Sequence, residues 1–241
     1  GEITLRQLLQ MRSGLRHTEE TERVYDADTV RMLFLDGRDD MATWAEAQPL
    51  EAEPGRRFEY SSASSVILAD AAARALTELP NPDIRRKAVS EYLRTRLFEP
   101  AGMRSMVAEF DAAGTFTGSS MVHGTARDWA RLGELLRHGG AVKGAQMVPR
   151  AWIEFMTHPS PRNPGYGAQV WLNRASSDGE SPLFPGKAPA SLFACVGHFG
   201  QYVIVSPDQK LTVVRIGHTG AEGLPALRDH LAEIVALFPK G

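Results

Sequence analysis

The spacing of the apolar residues changes once along this chain, and that change limits the fold to the α+β class. Up to about residue 160 they recur at helical spacing between polar loops. Thr4-Leu-Arg-Gln7 has the capping-box pattern, with Leu5, Leu8 and Leu9 behind it, so a helix is expected there and ends at Ser13-Gly14. Short helices are expected around 28–35 and 41–47. Ser61 opens an Ala-rich run to Leu76 that reads as a buried helix with a serine cap. Another helix is expected over 84–98, stopping at Pro100 and Gly102. Thr125-Ala-Arg-Asp128 opens one that runs to Arg137, and Pro149 stands where the first turn of a helix accepts it. Beyond residue 160 the runs are short and β-rich, at 167–172, 192–196, 202–205 and 211–216. The last two flank Ser206-Pro-Asp-Gln-Lys210, a hairpin connection, and an amphipathic helix over 224–237 closes the chain. The expected organisation is a mainly helical lobe over 1–160, followed within the same domain by an antiparallel sheet and C-terminal helix over 161–241.

Charge and cysteine content remove several classes of function. The chain has 241 residues, 27 of them basic and 29 acidic, and a net charge of -2. Nucleic-acid binding needs a concentrated basic surface, so no nucleic-acid partner is expected. The densest basic run, Arg85-Arg86-Lys87, lies in a helical stretch and is expected to be a solvated face. Cys195 is the single cysteine, so no disulfide forms within the chain. It sits in the apolar run 191–196 and reads as a buried strand residue, not a nucleophile. No apolar run approaches the roughly 20 residues that span a bilayer. The compartment stays open, because a periplasmic protein need not contain disulfides.

The common catalytic motifs are absent. There is no Gly-x-Ser-x-Gly elbow, no His-Glu-x-x-His, no phosphate loop and no Gly-x-Gly-x-x-Gly; the seven histidines are scattered, so neither metal nor cofactor is expected. Three stretches remain. Tyr60-Ser61-Ser62 lies where an extended piece meets a helix start, a junction that leaves a side chain free to project. A tyrosine acts there as general base only if neighbouring cations lower its pKa from about 10. Gly197-His-Phe-Gly-Gln201 heads the hairpin 202–216, and glycines flanking a strand start let a substrate or another backbone approach. A rival histidine stands in Gly217-His-Thr-Gly220. Gly118-Ser-Ser-Met-Val-His-Gly-Thr125 is a small polar loop ahead of a capped helix. Taken singly, each is more simply explained by packing or by a connecting loop.

Taken together and in order, these stretches resemble the serine β-lactamase-like superfamily of class C β-lactamases, DD-peptidases and related esterases. Residues 3–15, Ile-Thr-Leu-Arg-Gln-Leu-Leu-Gln-Met-Arg-Ser-Gly-Leu, resemble the family's helix downstream of the active serine. Pro54-Gly-x-x-Phe-x-Tyr-Ser61 is similar to the second motif, and Leu97-Phe-Glu-Pro-Ala-Gly-Met103 to a family connecting stretch. Gly118-Ser-Ser, the segments 125–133 and 165–173, and Gly197-His-Phe-Gly-Gln-Tyr202 with 211–215 resemble the branch of 6-aminohexanoate-dimer hydrolases.

The resemblance implies a β-lactamase-like α/β sandwich, an antiparallel sheet flanked by helices with a helical lobe. It also implies a mechanism in which a serine in Ser-x-x-Lys attacks a carbonyl and an acyl-enzyme forms. Tyr60 matches the proton-shuttling tyrosine, and the backbone N–H of Gln201 matches one oxyanion donor. Ser62, Ser120, His198, Phe199 and Gly200 fall on substrate-contacting positions. Ser62 stands in place of an asparagine and His198 in place of a lysine. A neutral imidazole supplies no fixed charge at pH 7, which favours small ester or amide substrates over β-lactams. Met121 falls where relatives often carry an aromatic residue. No serine here has lysine three positions on, so the chain is expected to lack an N-terminal part that bears the nucleophile and to be inactive without it. That missing segment and a small ester or amide are the expected partners. The alternatives are a non-catalytic binding relative, or a DD-peptidase or β-lactamase.

Overall fold

A computed structural model describes residues 3–240, which divide into two compact units. One comprises the chain up to Arg96 together with Met106–His123; the other comprises Leu97–Ser105 and the chain from Gly124 onward.

The first unit is helical. Helices α1 (Leu5–Leu9), α2 (Asp28–Phe34), α3 (Met41–Glu46), α4 (Ser62–Leu76) and α5 (Pro82–Leu93) pack with a two-stranded ribbon made from β1 (Val107–Ala108) and β2 (Val122–His123). Both halves of the capping box at α1 form: the Thr4 side chain accepts from the Gln7 N–H, and the Gln7 side chain returns to the Thr4 N–H at 2.8 Å. Helix α4 is the centre of this unit. Its small side chains let neighbours approach on nearly every side, and Ala63 and Val66 pack with Met32, Met41, Ala42 and Ala45 in a core from which water is excluded. Each large side chain buried there stabilises by about 1.5–3 kcal/mol.

Two expectations are corrected here. Arg85 is not on a solvated face: its side chain is only 12% exposed and pairs with the buried carboxylate of Asp70, bracing α5 against α4. Nor does Pro100 end a helix. After α5 the chain widens into a π-turn over Arg94–Phe98, and Pro100 falls in the first turn of α6 (Glu99–Ala101), where its missing N–H leaves nothing unpaired. Gly102 ends α6 at φ 75, as a C-terminal glycine should.

The second unit is an antiparallel sheet with helices on both faces. Helix α7 (Ala126–Arg137) leads through a small ribbon, β3 (Ala141–Val142) and β4 (Ala145–Gln146), to α8 (Arg150–Met156), whose N-cap is Pro149. Strands β5 (Trp171–Leu172), β6 (Phe193–Gly197), β7 (Gln201–Ser206) and β8 (Leu211–Arg215) follow in spatial order β5-β6-β7-β8, and α9 (Leu224–Ala236) closes the chain. The strand expected over 167–172 contracts to two residues because Gln169 takes a left-handed φ of 64, which breaks the extended run.

Alternation along β6 and β7 sends Ala194, Tyr202 and Ile204 towards Leu231, Ala232 and Val235 of α9, and Phe193 and Val205 towards Leu136 and Ile153 on the opposite face. Gly133 lets α7 press onto the sheet, since a Cβ there would come within 2.5 Å of Thr212 Cγ2. Cys195 is in β6 as expected, and burial pushes its thiol up to about 11, unsuited to nucleophilic work.

Candidate active site

Tyr60 is half-buried at the junction between an extended segment and α4. The preceding backbone is tied to the end of α1, where the Glu59 N–H donates to the Met11 carbonyl at 2.9 Å. Gly14 is required beneath this segment: φ is 78, and a Cβ would meet the Ala52 carbonyl oxygen at 2.3 Å. Ser61 caps α4 as expected, its hydroxyl accepting from the Ser64 N–H at 3.2 Å.

A second cap comes from a residue that sequence reasoning passed over. Glu19 accepts from the Ser62 N–H at 2.5 Å and from the Ser62 hydroxyl at 3.0 Å. The same carboxylate meets His17 Nε2 at 3.0 Å, and this nitrogen also lies 2.8 Å from Thr29 Oγ1. The His17 side chain is completely buried. Burial alone would raise the Glu19 pKa, but His17 and the two donors from Ser62 outweigh it and hold the carboxyl below its ordinary value. A negative charge thus sits at the positive end of α4, directly behind Tyr60 in the chain. Ser62 itself is buried and its proton is committed to Glu19.

The loop at Gly118 lies on the same helix. A Cβ at Gly118 would come within 2.8 Å of Ala69 Cβ and 3.0 Å of the Ser65 carbonyl, so only glycine allows this approach. Ser120, the residue expected to contact substrate, is exposed on a turn; beside it the Ser119 hydroxyl is buried with no hydrogen-bond partner among the described residues. Met121 follows with a left-handed φ of 59.

In the second unit the turn between β6 and β7 carries the other expected residues. Gly197 pairs with Gln201, and the three residues between them close the hairpin, with φ 55 at Phe199 and φ 79 at Gly200. His198 and Phe199 are exposed and stack with ring centroids 3.8 Å apart. Phe199 also meets the His218 ring, centroids 4.1 Å apart and tilted by 39°, so the two histidine loops that looked like rivals share one aromatic cluster.

Arg215, at the end of β8, locks this arrangement. Its Nη1 donates to the carbonyls of Phe199 at 3.1 Å, of Gly200 at 2.9 Å and of Gly217, while Nη2 donates to Thr219 Oγ1 at 2.5 Å. The Gln201 side chain fastens the same loop, accepting from the Gly217 N–H at 2.9 Å and donating to its carbonyl at 2.5 Å. A non-glycine residue in the left-handed region costs about 1–2 kcal/mol, so Phe199 needs such anchors to stay there. Gly200 could not be replaced easily, because its φ of 79 lies in the left-handed region that side chains rarely adopt.

Among the described residues no group of three or more His, Cys, Asp or Glu side chains could hold a metal ion, and no helix is long and apolar enough to cross a membrane. Tyr60, Ser62 and Ser120 belong to the first unit, and His198, Phe199, Gly200 and Gln201 to the second.

Helices together with an antiparallel sheet are the elements of the serine β-lactamase-like fold class. The chain belongs to the beta-lactamase family, whose model matches residues 1–236. Among solved structures it is similar to one described as a 6-aminohexanoate-dimer hydrolase from Bacillus anthracis, with a TM-score of 0.72 and 21% identity over 100% of this chain and 63% of that one. A beta-lactamase from Mycobacterium bovis matches with a TM-score of 0.61 and 18% identity over 97% of this chain and 73% of that one. Unliganded simvastatin synthase from Aspergillus terreus matches at 0.59 and 15%, over 98% and 68%. Identities this low speak to the fold. The chain therefore spans a little under two thirds of the Bacillus anthracis structure that it matches. No curated protein matches it.

Proposed function

We propose that this chain carries the tyrosine and the sheet-edge turn of a serine hydrolase that forms an acyl-enzyme on small esters or amides. The nucleophile in this reading is the serine of a Ser-x-x-Lys segment outside the chain. Its hydroxyl oxygen bonds to the substrate carbonyl carbon while its proton passes to the Tyr60 oxygen. The tetrahedral oxyanion is met by the Gln201 N–H and by the nucleophile's own N–H. Collapse expels the alcohol or amine, which takes the proton back from Tyr60. Water, deprotonated by the same oxygen, then releases the acid and restores the serine.

The observation that carries the reading is the construction behind Tyr60. Two independent caps, Ser61 and Glu19, fix the first turn of α4 and with it the residue just before. Small, neutral substrates are favoured for two reasons. His198 is committed to an aromatic stack where a fixed ammonium would be needed to bind a carboxylate. The Glu19 charge behind Ser62 repels anions in addition. The edge strand β8 offers the place where strands from an upstream segment would pair.

The test is a substrate panel on a longer form that includes the Ser-x-x-Lys segment: nitrophenyl esters, short anilides and a chromogenic cephalosporin. Esters or anilides should exceed the cephalosporin in kcat/KM by about a hundredfold or more, the scale of one misplaced charge in a closed site. Turnover of the cephalosporin alone would overturn the substrate assignment, and a folded protein inert towards all three would favour a binding role.

A further inference from the structure

The second unit contains a cavity of about 290 Å³ at the end of the sheet away from the Gly197–Gln201 turn. In the β6–β7 pair, Phe193 faces Val205 at this end and Gly197 faces Gln201 at the other. Four strand steps separate the two ends by roughly 13 Å. The cavity is therefore not part of the candidate active site.

Its floor is apolar and its rim is basic. Leu172, Leu192 and Phe193 form the floor and are almost fully buried, with Ile153 beside them. Arg137, Arg150 and Arg174 stand on the rim with one carboxylate, Glu154. Arg137 is already neutralised: its Nε and Nη2 fork onto Glu134 at 2.8 and 2.6 Å. Arg150 and Arg174 differ. Both are exposed, and among the described residues neither guanidinium pairs with a carboxylate. The Arg150 head lies over Gly139, where a Cβ would come within 2.8 Å of Nη1, so the glycine makes room for it. Glu154 has no ion-pair partner among the described residues either, which leaves one positive charge in excess above an apolar floor.

We infer that this cavity binds a small monocarboxylate with a compact apolar body. The head group sits between Arg150 and Arg174, whose planar forks match a carboxylate, and the body rests on Leu172, Leu192 and Phe193. The volume, about 290 Å³, lies just below the usual range of about 300–1,000 Å³ for small-molecule sites, which suits a compact ligand. Glu154 on the same rim disfavours a dianion such as phosphate. The inference is independent of the hydrolase reading and survives or fails without it.

The test is an NMR titration of the 15N-labelled 241-residue chain with 3-phenylpropionate, in parallel with 3-phenylpropanol and inorganic phosphate. The acid should give saturable shifts at Leu172–Arg174 and Ala190–Phe193. The alcohol should bind about tenfold more weakly or worse, and the Arg150→Ser and Arg174→Ser variants should each weaken the acid about three- to tenfold, the range of a charge-assisted contact at a solvent-facing rim. Both arginines are exposed, and the spectrum of each variant reports directly on its fold. The inference is overturned by an acid that gives no saturable shifts at these residues. Equal binding by the alcohol or by phosphate would also overturn it, as would both variants keeping wild-type affinity.

Discussion

The helix start behind Tyr60 and the turn at His198 are held in place by different physics. At Tyr60 the anchors are largely buried: a fully buried imidazole, a partly exposed carboxylate held below its ordinary pKa and two hydroxyls close around the first turn of α4. At His198 the rings are exposed, and a single guanidinium collects the backbone carbonyls of two loops beneath them. The first arrangement resists movement because the Ser62 N–H and hydroxyl would lose the Glu19 carboxylate as their partner. The second depends on two side chains, Arg215 and Gln201, that hold its loops from the sheet. In the proposed reaction the rigid corner would hold Tyr60 for proton transfer, and the surface-held turn would meet the acyl group.

The largest expected effect separates the two regions by function. In a longer form with the Ser-x-x-Lys segment, Tyr60→Phe should lower kcat/KM by about 10²–10⁴, the range for a lost general acid–base group, with unfolding unchanged. His198→Ala should lower it by less than about tenfold, because the ring supplies contact rather than charge. Steady-state kinetics on a nitrophenyl ester decide this, and a larger loss at His198 would reverse the assignment of roles.

The next effect concerns stability. Arg215→Ala should cost about 2–3 kcal/mol in denaturant unfolding, the scale of hydrogen bonds from a charged donor, and should speed amide exchange at Phe199–Gln201. Arg215→Lys should not restore it, since one ammonium cannot span the carbonyls that the guanidinium fork reaches.

Glu19→Gln tests the buried corner and should cost about 1–2 kcal/mol while leaving exchange at the His198 turn untouched. The Glu19 pKa is lowered in the fold, so its stabilisation is complete above the ordinary carboxylate value of 4.5 and is lost as pH falls through and below it. The glutamine variant should lose that part of the acid dependence.

Glu134 gives the smallest effect. Arg137, with help from Thr212, lowers its pKa to about 2 from 4.5, yet its side chain is 42% exposed, so solvent screens the pair. Glu134→Gln should cost no more than about 1 kcal/mol above pH 4.5, and the difference should fade as pH falls from 4.5 towards about 2. Carboxyl NMR titration would read the value directly.

The same contrast explains what was legible in the sequence. Caps whose two partners lie three residues apart, at Thr4, Ser61 and Thr125, could be read from local pattern, as could the hairpin at 206–210. At Thr125 only half of the box forms. Asp128 turns away from the cap to accept from the Ser105 N–H and hydroxyl, a partner 23 residues distant. Glu19 reaches Ser62 across 43 residues, and the stretch around it showed only as polar and acidic. Arg215 could be seen as part of a strand motif, but its grip on Phe199 depends on the hairpin being folded. Arg85 looked solvated because a run of three basic residues gives no sign of a buried aspartate on the neighbouring helix. Local chemistry carried the helix starts and turns, whereas the clamps came from contacts that exist only after folding.

The most direct test of the central claim is intact-mass analysis after fluorophosphonate treatment, comparing the longer form with this 241-residue chain. One adduct is expected on the longer form, formed more slowly in Tyr60→Phe, and none on the chain alone. No adduct on a folded longer form, or an adduct on the chain by itself, would contradict it.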